Sequence, residues 1–155
     1  MEIGVKFYRS AIHEDVIALW REGMEYHMEI GAYAGDRITN PNPSHCAWVS
    51  YVDGAPASIQ VSSIVGEDAV GVLTYVRPQF RGMRLHSHVQ AAMNVDLPPL
   101  SVTHTISTVT PDTPLSYRLA ASVLDGGAVI VGEDTVVLPR GETRRIKYRR
   151  PLVRD

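Results

Sequence analysis

The sequence predicts a single α/β (α+β) domain over residues 1–155, built on a mixed, mostly antiparallel central sheet with flanking helices. Three observations predict this fold. Three strand-like runs follow one another in the first half, and an Asp53-Gly54 turn joins two of them. Strand-like and helix-like runs then alternate, and a chain that is 45% hydrophobic has enough apolar material for one core. The predicted order is β-α-β-β-β-α-β-α-β-β.

The first elements are a strand and an amphipathic helix. Ile3 to Tyr8 has the strand pattern, and helical spacing begins at His13. Residues 31–44 contain Gly, Asn and Pro and are predicted to form a loop of the kind that binds substrate or covers a site. An apolar stripe runs along the helix, and the histidine at its end is expected to pack with it. The stripe consists of Val16, Ile17, Trp20, Met24 and His27.

The three consecutive strands come next. His45 to Val52 and Ala57 to Val65 are predicted to form a hairpin, because Asp-Gly favours a tight turn. Ala69 to Val76 is the third strand, and Leu85 to Met93 has helical spacing. The turn between these two elements follows the carboxyl end of a central strand, where open α/β sheets commonly bind ligands.

The second half predicts another strand and helix and a β-rich end. Val102 to Thr110 is rich in β-branched residues and predicts a strand. A helix is predicted from Asp112-Thr113-Pro114 to about Leu124, where Gly126-Gly127 ends it. Late strands are expected over 128–131, 135–138 and 145–150.

Composition indicates a protein of a reducing compartment. No apolar run approaches the ~18 residues that span a bilayer, and the N-terminus lacks the pattern of a signal peptide. The single cysteine, Cys46, cannot form an internal disulfide and is expected to pack in the core. We therefore expect a cytoplasmic protein that makes no membrane contact.

Residues 140–155 form a basic C-terminal segment with seven basic and two acidic side chains, although the whole chain has a net charge of −2. One interpretation is a charged edge strand that resists aggregation. The other is a surface for a polyanion, such as nucleic acid, or for an acidic partner. We favour the edge strand.

The segment Val76-Arg77-Pro78-Gln79-Phe80-Arg81-Gly82-Met83-Arg84-Leu85 joins the third consecutive strand to the second helix. Backbone N–H groups at such a junction lack intrahelical partners, and the helix dipole favours negative charge. Gly82 lets the backbone approach a ligand closely. The guanidinium groups of Arg77, Arg81 and Arg84 suit phosphate, those of Arg81 and Arg84 above all. The segment therefore predicts a phosphate-binding turn.

This turn and the order of the elements resemble the GNAT superfamily of acyl-CoA-dependent N-acetyltransferases. The family's signature is Arg/Gln-x-x-Gly-x-Gly/Ala, often after Val-x-Pro, and here it stands as Val76-x-Pro78 followed by Gln79-x-x-Gly82-x-Arg84. Tyr8 to Asp15 resembles the start of the family's first helix, and Trp48 to Ala57 resembles its central hairpin. The resemblance covers roughly residues 3–125. Arg84 departs from it, because the family has a small residue at that position.

The resemblance implies acetyl-CoA or another acyl-CoA as the co-substrate, and no metal. The turn would hold its pyrophosphate, and a backbone N–H at the end of the central strand would donate to its thioester carbonyl. Arg84 has two interpretations: a wider turn in which Arg84 itself meets a phosphate, or degraded cofactor binding. The implied cofactor-binding residues are Tyr75, Val76, Gln79, Phe80, Arg81, Gly82, Met83 and Arg84.

Three residues are candidates for catalytic proton transfer. Members of the family often use a Glu near the central strands as the base and a Tyr to protonate the leaving thiolate. Glu67 and His104 are the candidate bases here, with a solvated turn and a packed histidine as the alternatives. Tyr117, on the predicted third helix, is the candidate acid, with a packed aromatic as the alternative.

Three functions are therefore expected. The first is direct transfer of an acyl group from acyl-CoA to a primary amine of a small molecule or protein, and the acidic first helix favours a cationic acceptor. The second is a binding or structural module that keeps the fold and has lost catalysis. The third is acyl transfer to an amine attached to a nucleic acid, with residues 140–155 as the contact. The resemblance also implies a possible homodimer.

Overall fold

The computed structural model describes residues 1–32, 40–109 and 127–153. Within these ranges, the helices are α1 (Glu14–Glu29) and α2 (Leu85–Asp96), with short 3₁₀ turns at Pro78–Phe80 and Pro98–Leu100. One sheet has the strand order β1-β2-β3-β4-β5-β7-β6. Its strands are β1 (Ile3–Tyr8), β2 (Cys46–Val52), β3 (Ala55–Val65), β4 (Asp68–Val76), β5 (His104–Val109), β6 (Val129–Leu138) and β7 (Gly141–Pro151).

The sheet confirms the predicted mixed, mostly antiparallel α/β architecture. All neighbouring strands run antiparallel except β4 and β5, which are parallel. Parallel neighbours need a long crossover, and α2 lies in the segment that connects these two strands. The parallel pair is therefore flanked by antiparallel strands on both sides.

The two helices cover opposite faces of the sheet. On one face, Leu19 and Trp20 of α1 pack with Val49 of β2. On the other face, Val89 of α2 packs with Trp48, the neighbouring residue of β2. Successive strand residues point to opposite faces, so β2 contributes to both cores. Cys46 is buried in the core under α2, as expected.

The Asp53-Gly54 hairpin is confirmed in detail. Both residues have positive φ, 50° and 84°, which a type I′ turn requires. The turn joins β2 to β3, whose paired residues run from Val52 and Ala55 to Cys46 and Ser62.

One expectation for the C-terminal strands is wrong. The separate strands expected over 128–131 and 135–138 are a single strand, β6, which pairs along its length with β7. Glu133 and Asp134 interrupt the apolar pattern of β6 but do not break the strand, because they form ion pairs with arginines of β7.

Several predicted features lie outside the described residues. They are the third helix from Pro114 to about Leu124, its Tyr117, and residues 33–39 of the predicted loop. Among the described helices, neither has the length and apolar character needed to cross a membrane.

Candidate functional site

β4 and β5 pair only at their beginnings and then separate. The pairing runs from Asp68 opposite His104 to Val70 opposite Ile106. β4 then continues to Val76 with no described strand against this edge. A gap, which we call the β4–β5 gap, therefore opens toward the carboxyl ends of the two strands.

A β-bulge accompanies the separation. Leu73 of β4 lies opposite Val61 of β3, whereas Gly71 lies opposite Ser62, so Val72 is an extra residue on β4. A bulge bends its strand and increases the local twist. The bulge follows directly after the last residues that β4 pairs with β5, so the bend coincides with the start of the gap.

The backbone of β4 presents a free N–H group to the gap. The N–H of Arg77 donates to the carbonyl of Ala57 at 2.9 Å and so points toward β3. Because these groups alternate in direction along a strand, the N–H of Tyr75 also points toward β3, and that of Val76 points into the gap. Of the two predicted donors to a thioester carbonyl, Val76 thus has the suitable direction. The side chain of Tyr75 is buried under α1.

The turn between β4 and α2 exposes a row of backbone N–H groups. The φ angles of Gly82 and Arg84 are positive, 83° and 56°, whereas Met83 between them is not in this region. The N–H groups of residues 82–86 donate no hydrogen bond to another described residue. Such a row at a helix N-terminus suits an anion. We call these residues, 82–86, the anion turn.

Arg84 occupies the N-cap of α2 in the left-handed conformation, with φ 56° and ψ 36°. An L-residue with a side chain costs roughly 1–2 kcal/mol in this region, whereas glycine does not. This conformation explains why a glycine suits the position. The arginine that departs from the family's pattern therefore carries a conformational cost. The Arg84 side chain is exposed and makes no capping hydrogen bond.

Apolar side chains hold the turn on the protein. Phe80, Met83 and Leu85 pack with Val52 and Ala57 in a small cluster beneath it. Phe80 and Met83, two of the predicted cofactor-binding residues, therefore use their side chains to position the backbone of the turn. A third, Gln79, lies exposed in the short 3₁₀ turn.

Arg77 does not serve as the expected phosphate ligand. Its Nε and Nη2 donate to the carboxylate of Glu22 at 2.9 and 2.8 Å, and its Nη1 donates to the carbonyl of Pro56 at 3.0 Å. The Glu22 carboxylate raises the pKa of Arg77 through this hydrogen bond. The expectation is wrong because the guanidinium instead ties α1 to the end of β4.

Arg81 borders the gap on its α1 side. Its Nε donates to the carbonyl of Val76 at 3.3 Å, and its guanidinium lies 4.9 Å from the ring centre of Tyr26. The Tyr26 ring in turn lies against the ring of Tyr75, at 5.8 Å between centres. Arg81 therefore covers the free carbonyl of Val76 and leaves its N–H uncovered.

His27 of α1 lies at the carboxyl end of β4. Its position on the apolar stripe of the helix does not predict this location. Its half-buried ring lies beside the backbone of Thr74. The backbone groups of Thr74 point into the gap like those of Val76, since the two residues are two positions apart. Burial lowers the pKa of His27, and the charge of Arg140 lowers it further, while the backbone of Thr74 opposes this shift. The sequence signal was a titratable side chain within an apolar stripe.

Gly23 brings α1 close to this end of β4. A Cβ at this position would lie 3.0 Å from the Cβ of Tyr75 and 3.2 Å from the Cδ2 of Leu73. Such distances are tighter than nine in ten real Cβ contacts, so a side chain here would push α1 and β4 apart, and their close approach depends on glycine. The position of His27 beside Thr74 follows from this approach.

The structure does not bring Glu67 and His104 to the open end of the gap. Glu67 directly precedes β4, and His104 begins β5 opposite Asp68, so the length of β4 separates them from Val76 by roughly 26 Å, at ~3.3 Å per residue. Glu67 accepts a hydrogen bond from Arg149 at 3.2 Å. Their catalytic roles stay predictions that this placement does not support.

Comparison with known proteins identifies the fold. No family model and no curated protein matches the sequence. The structure is similar to the ribosomal-protein-S18-alanine N-acetyltransferase from Escherichia coli, with a TM-score of 0.69 and 11% identity over 99% of this chain and 96% of that one. It is similar to an acyl-CoA N-acyltransferase from Pseudomonas aeruginosa, with a TM-score of 0.69 and 12% identity over 96% and 99% of the two chains.

A third similar structure contains coenzyme A. It is RimL, a ribosomal L7/L12 α-N-protein acetyltransferase, with a TM-score of 0.57 and 12% identity over 70% of this chain and 62% of that one. At these identities the likeness concerns the fold. The chain thus has the GNAT fold of acyl-CoA N-acyltransferases.

Proposed function

We propose that this protein is an N-acyltransferase that moves an acetyl or related acyl group from acyl-CoA to a primary amine. One observation carries the proposal: the β4–β5 gap opens beside the anion turn. The turn offers uncommitted N–H groups to a pyrophosphate, and the gap offers the N–H of Val76 to the acyl end of the same molecule. Similar structures described as acyltransferases, one of them with coenzyme A, support this reading.

The acyl-CoA would supply an activated acyl group as a thioester, and the chain's own groups would direct its reaction. The N–H groups of residues 82–86 bind and orient the pyrophosphate. The N–H of Val76 donates to the thioester carbonyl oxygen, where negative charge develops as the amine attacks the carbon. This donor is preorganised, because β4 is held by β3 on its other side.

His27 is the described side chain that best suits the role of general base. Its ring remains neutral near pH 7, because burial lowers its pKa below the ordinary 6.5. The ring lies beside the backbone of Thr74, near the carboxyl end of β4, where a neutral ring nitrogen would accept a proton from the amine. The acceptor would then approach from the α1 face, opposite to the face that α2 covers.

The acidic residues of α1 support an amine acceptor only weakly. Asp15 already accepts a hydrogen bond from Tyr51 at 2.7 Å, and Glu22 is held by Arg77. These carboxylates stabilise the fold, so they do not identify a polyamine or another polycation. The proposed acceptor class therefore stays at a primary amine.

Two other functions have less support. Transfer to a nucleic-acid amine would use residues 140–155, but three of their arginines, Arg144, Arg145 and Arg149, are held by carboxylates. A module without catalysis would be consistent with Arg84, whose conformation is unfavourable for arginine. The uncommitted N–H groups of the turn and of Val76 favour the enzyme over both.

The proposal is tested by calorimetric titration of coenzyme A into the wild type and two variants. Gly82→Trp adds a side chain at the anion turn and should abolish binding. Gly66→Trp is the matched control, because Gly66 also has positive φ, 61° against 83°, and open space around its missing Cβ, but lies at the opposite end of β4. This control should bind coenzyme A like the wild type.

Thermal unfolding with and without coenzyme A checks the same point, since a ligand that binds the folded state raises its stability with concentration. A wild type that neither binds coenzyme A nor responds to it in thermal unfolding would overturn the proposed function. Equal loss in the two tryptophan variants would show that backbone strain, and not the turn, controls binding.

A further inference from the structure

We infer that Arg150 of β7 is a second phosphate-binding residue of the acyl-CoA site, on the face of the sheet that α2 covers. This inference rests on the proposed function and goes beyond it, because the resemblance and the anion turn involve only the segment from β4 to α2. According to this inference, a residue of β7, near the C-terminal end of the chain, also contributes to binding of the acyl donor.

The register of the sheet determines the face on which Arg150 lies. Arg150 pairs with Thr105 of β5, and Thr105 pairs with Ala69 of β4. Paired residues of neighbouring strands point to the same face. Ala69 is buried in the core beneath α2, as is Leu152, two residues after Arg150. Arg150 therefore points to the α2 face, beside the start of the β4–β5 gap.

The Arg150 side chain is half-buried and has no acidic partner within the described ranges. Burial lowers its pKa, and no hydrogen bond or ion pair offsets this effect. Charged groups are rarely taken out of water without a partner, because their desolvation is costly. An arginine left in this state is suited to a ligand that brings its own negative charge.

The end of β7 lies against α2, because the N–H of Val153, three residues after Arg150, donates to Asn94 Oδ1 of this helix at 3.2 Å. His86 lies in the first turn of α2, and both burial and the charge of Arg150 lower its pKa. His86 nevertheless keeps exposed surface. Arg150 and the uncommitted N–H groups of the anion turn therefore contribute positive potential to one region. An anion there would be attracted from the turn and from β7 together.

The neighbouring residue shows what an ordinary arginine of β7 does. Arg149 points to the opposite face, where its Nε donates to Asp68 at 2.9 Å and its Nη2 donates to Glu67 at 3.2 Å. Arg144 and Arg145 are likewise paired with carboxylates of β6. Arg150 lacks such a carboxylate, whereas each of the other three has one.

The ligand group that fits is a phosphate, which matches the fork of a guanidinium and accepts several N–H bonds. Coenzyme A carries this chemistry twice, as the pyrophosphate and as the 3′-phosphate. Three ligands separate these sources. Coenzyme A carries both groups, dephospho-coenzyme A lacks the 3′-phosphate, and pantetheine lacks all phosphates.

The experiment measures the dissociation constants of these three ligands by calorimetry for the wild type and Arg150→Met. Methionine keeps an apolar stem and removes the charge. We expect the variant to bind coenzyme A about 10- to 100-fold more weakly, in line with the loss of a charged hydrogen bond. Binding of pantetheine should not change. Arg145→Met is the matched control on the same strand and should leave all three constants unchanged.

Each result decides the inference. A loss for coenzyme A alone assigns Arg150 to the 3′-phosphate, and an equal loss for dephospho-coenzyme A assigns it to the pyrophosphate. Unchanged affinity for coenzyme A, or an equal loss for pantetheine, overturns the role of Arg150 and leaves the proposed function intact. A wild type that binds none of the three ligands overturns both.

A second variant and a stability measurement guard against an effect of misfolding. Arg150→Lys keeps the charge without the fork, so its affinity for coenzyme A should fall between those of the wild type and Arg150→Met. In the absence of ligand, Arg150→Met should unfold at the same temperature as the wild type or higher, because it removes an unpaired, half-buried charge. A structural arginine would give the opposite shift.

Discussion

The two ends of β4 differ in almost every interaction they make. At the beginning, which we call the closed end, the strand pairs with β3 and β5, and Arg149 holds both Glu67 and Asp68. At the carboxyl end, which we call the open end, β4 pairs with β3 alone, and the N–H of Val76 points into the gap.

The comparison shows how one strand supplies both support and reactivity. The closed end satisfies its own backbone groups and carboxylates within the protein, through β3, β5 and Arg149. The open end keeps polar groups uncommitted, and α1 and the β4–α2 turn hold them in place through Gly23, Phe80 and Arg77. Groups that are fixed but unused are what ligand binding and catalysis require.

The largest expected effect is on catalysis at the open end. His27→Gln should lower kcat/KM by about 10²-fold or more, because a general base contributes this much to proton transfer. In the wild type, kcat/KM should fall on acidification through a pKa below 6.5, since protonated His27 cannot accept the amine proton. The measurement is thiol release from acetyl-CoA with a panel of primary amines, from about pH 5 to about pH 9.

His13→Asn is the matched control for that prediction. His13 caps α1 by accepting a hydrogen bond from the N–H of Asp15 at 3.2 Å, and asparagine is also a good cap. This variant should keep the rate and the pH profile of the wild type. Identical profiles for His27→Gln and the wild type would remove His27 from proton transfer, while coenzyme A binding would still support the site.

The next effect is on the packing that holds the open end. Gly23→Val should lower the free energy of unfolding by about 1–3 kcal/mol, because its side chain has no room against Tyr75 and Leu73. It should also weaken coenzyme A binding, since α1 must move away from β4. Gly4→Val is the control, because nothing lies within 4 Å of its missing Cβ. Equal urea midpoints for both variants would contradict the close packing of α1.

The sequence predicts the fold and the turn well because their signals are local. The Asp53-Gly54 hairpin follows from two residues that tolerate positive φ. The anion turn follows from Gly82 and a helix start within the same ten residues. The left-handed conformation of Arg84 is also local. The sequence does not predict it, because glycine is the residue that indicates such a conformation, and an arginine stands here.

The long-range parts of the site could not be predicted in the same way. From the sequence, Arg77 is suited to bind phosphate. In the structure its guanidinium is hydrogen-bonded to Glu22, which is 55 residues away in the chain. The catalytic roles of His104 and Glu67 stay predictions, and the sequence does not place these residues because it does not tell which end of β4 stays paired with β5. The sequence predicts His27 as a packed core residue. Helical spacing indicates the face of the helix on which a side chain lies, but not the residues of other elements that it contacts.

The smallest expected effect is at the closed end, and it tests whether the two ends are independent. Arg149→Met removes ion pairs with Glu67 and Asp68, of which the Asp68 pair is the less exposed. Because both pairs reach solvent, we expect the free energy of unfolding to fall by only about 0.5–1 kcal/mol. High salt should reduce this difference further, since it screens the pairs in the wild type. The affinity for coenzyme A, measured by calorimetry beside Arg150→Met, should stay at the wild-type value. A loss as large as that of Arg150→Met would mean that the closed end controls the width of the gap, and the division of β4 into a supporting and a reactive end would then be wrong.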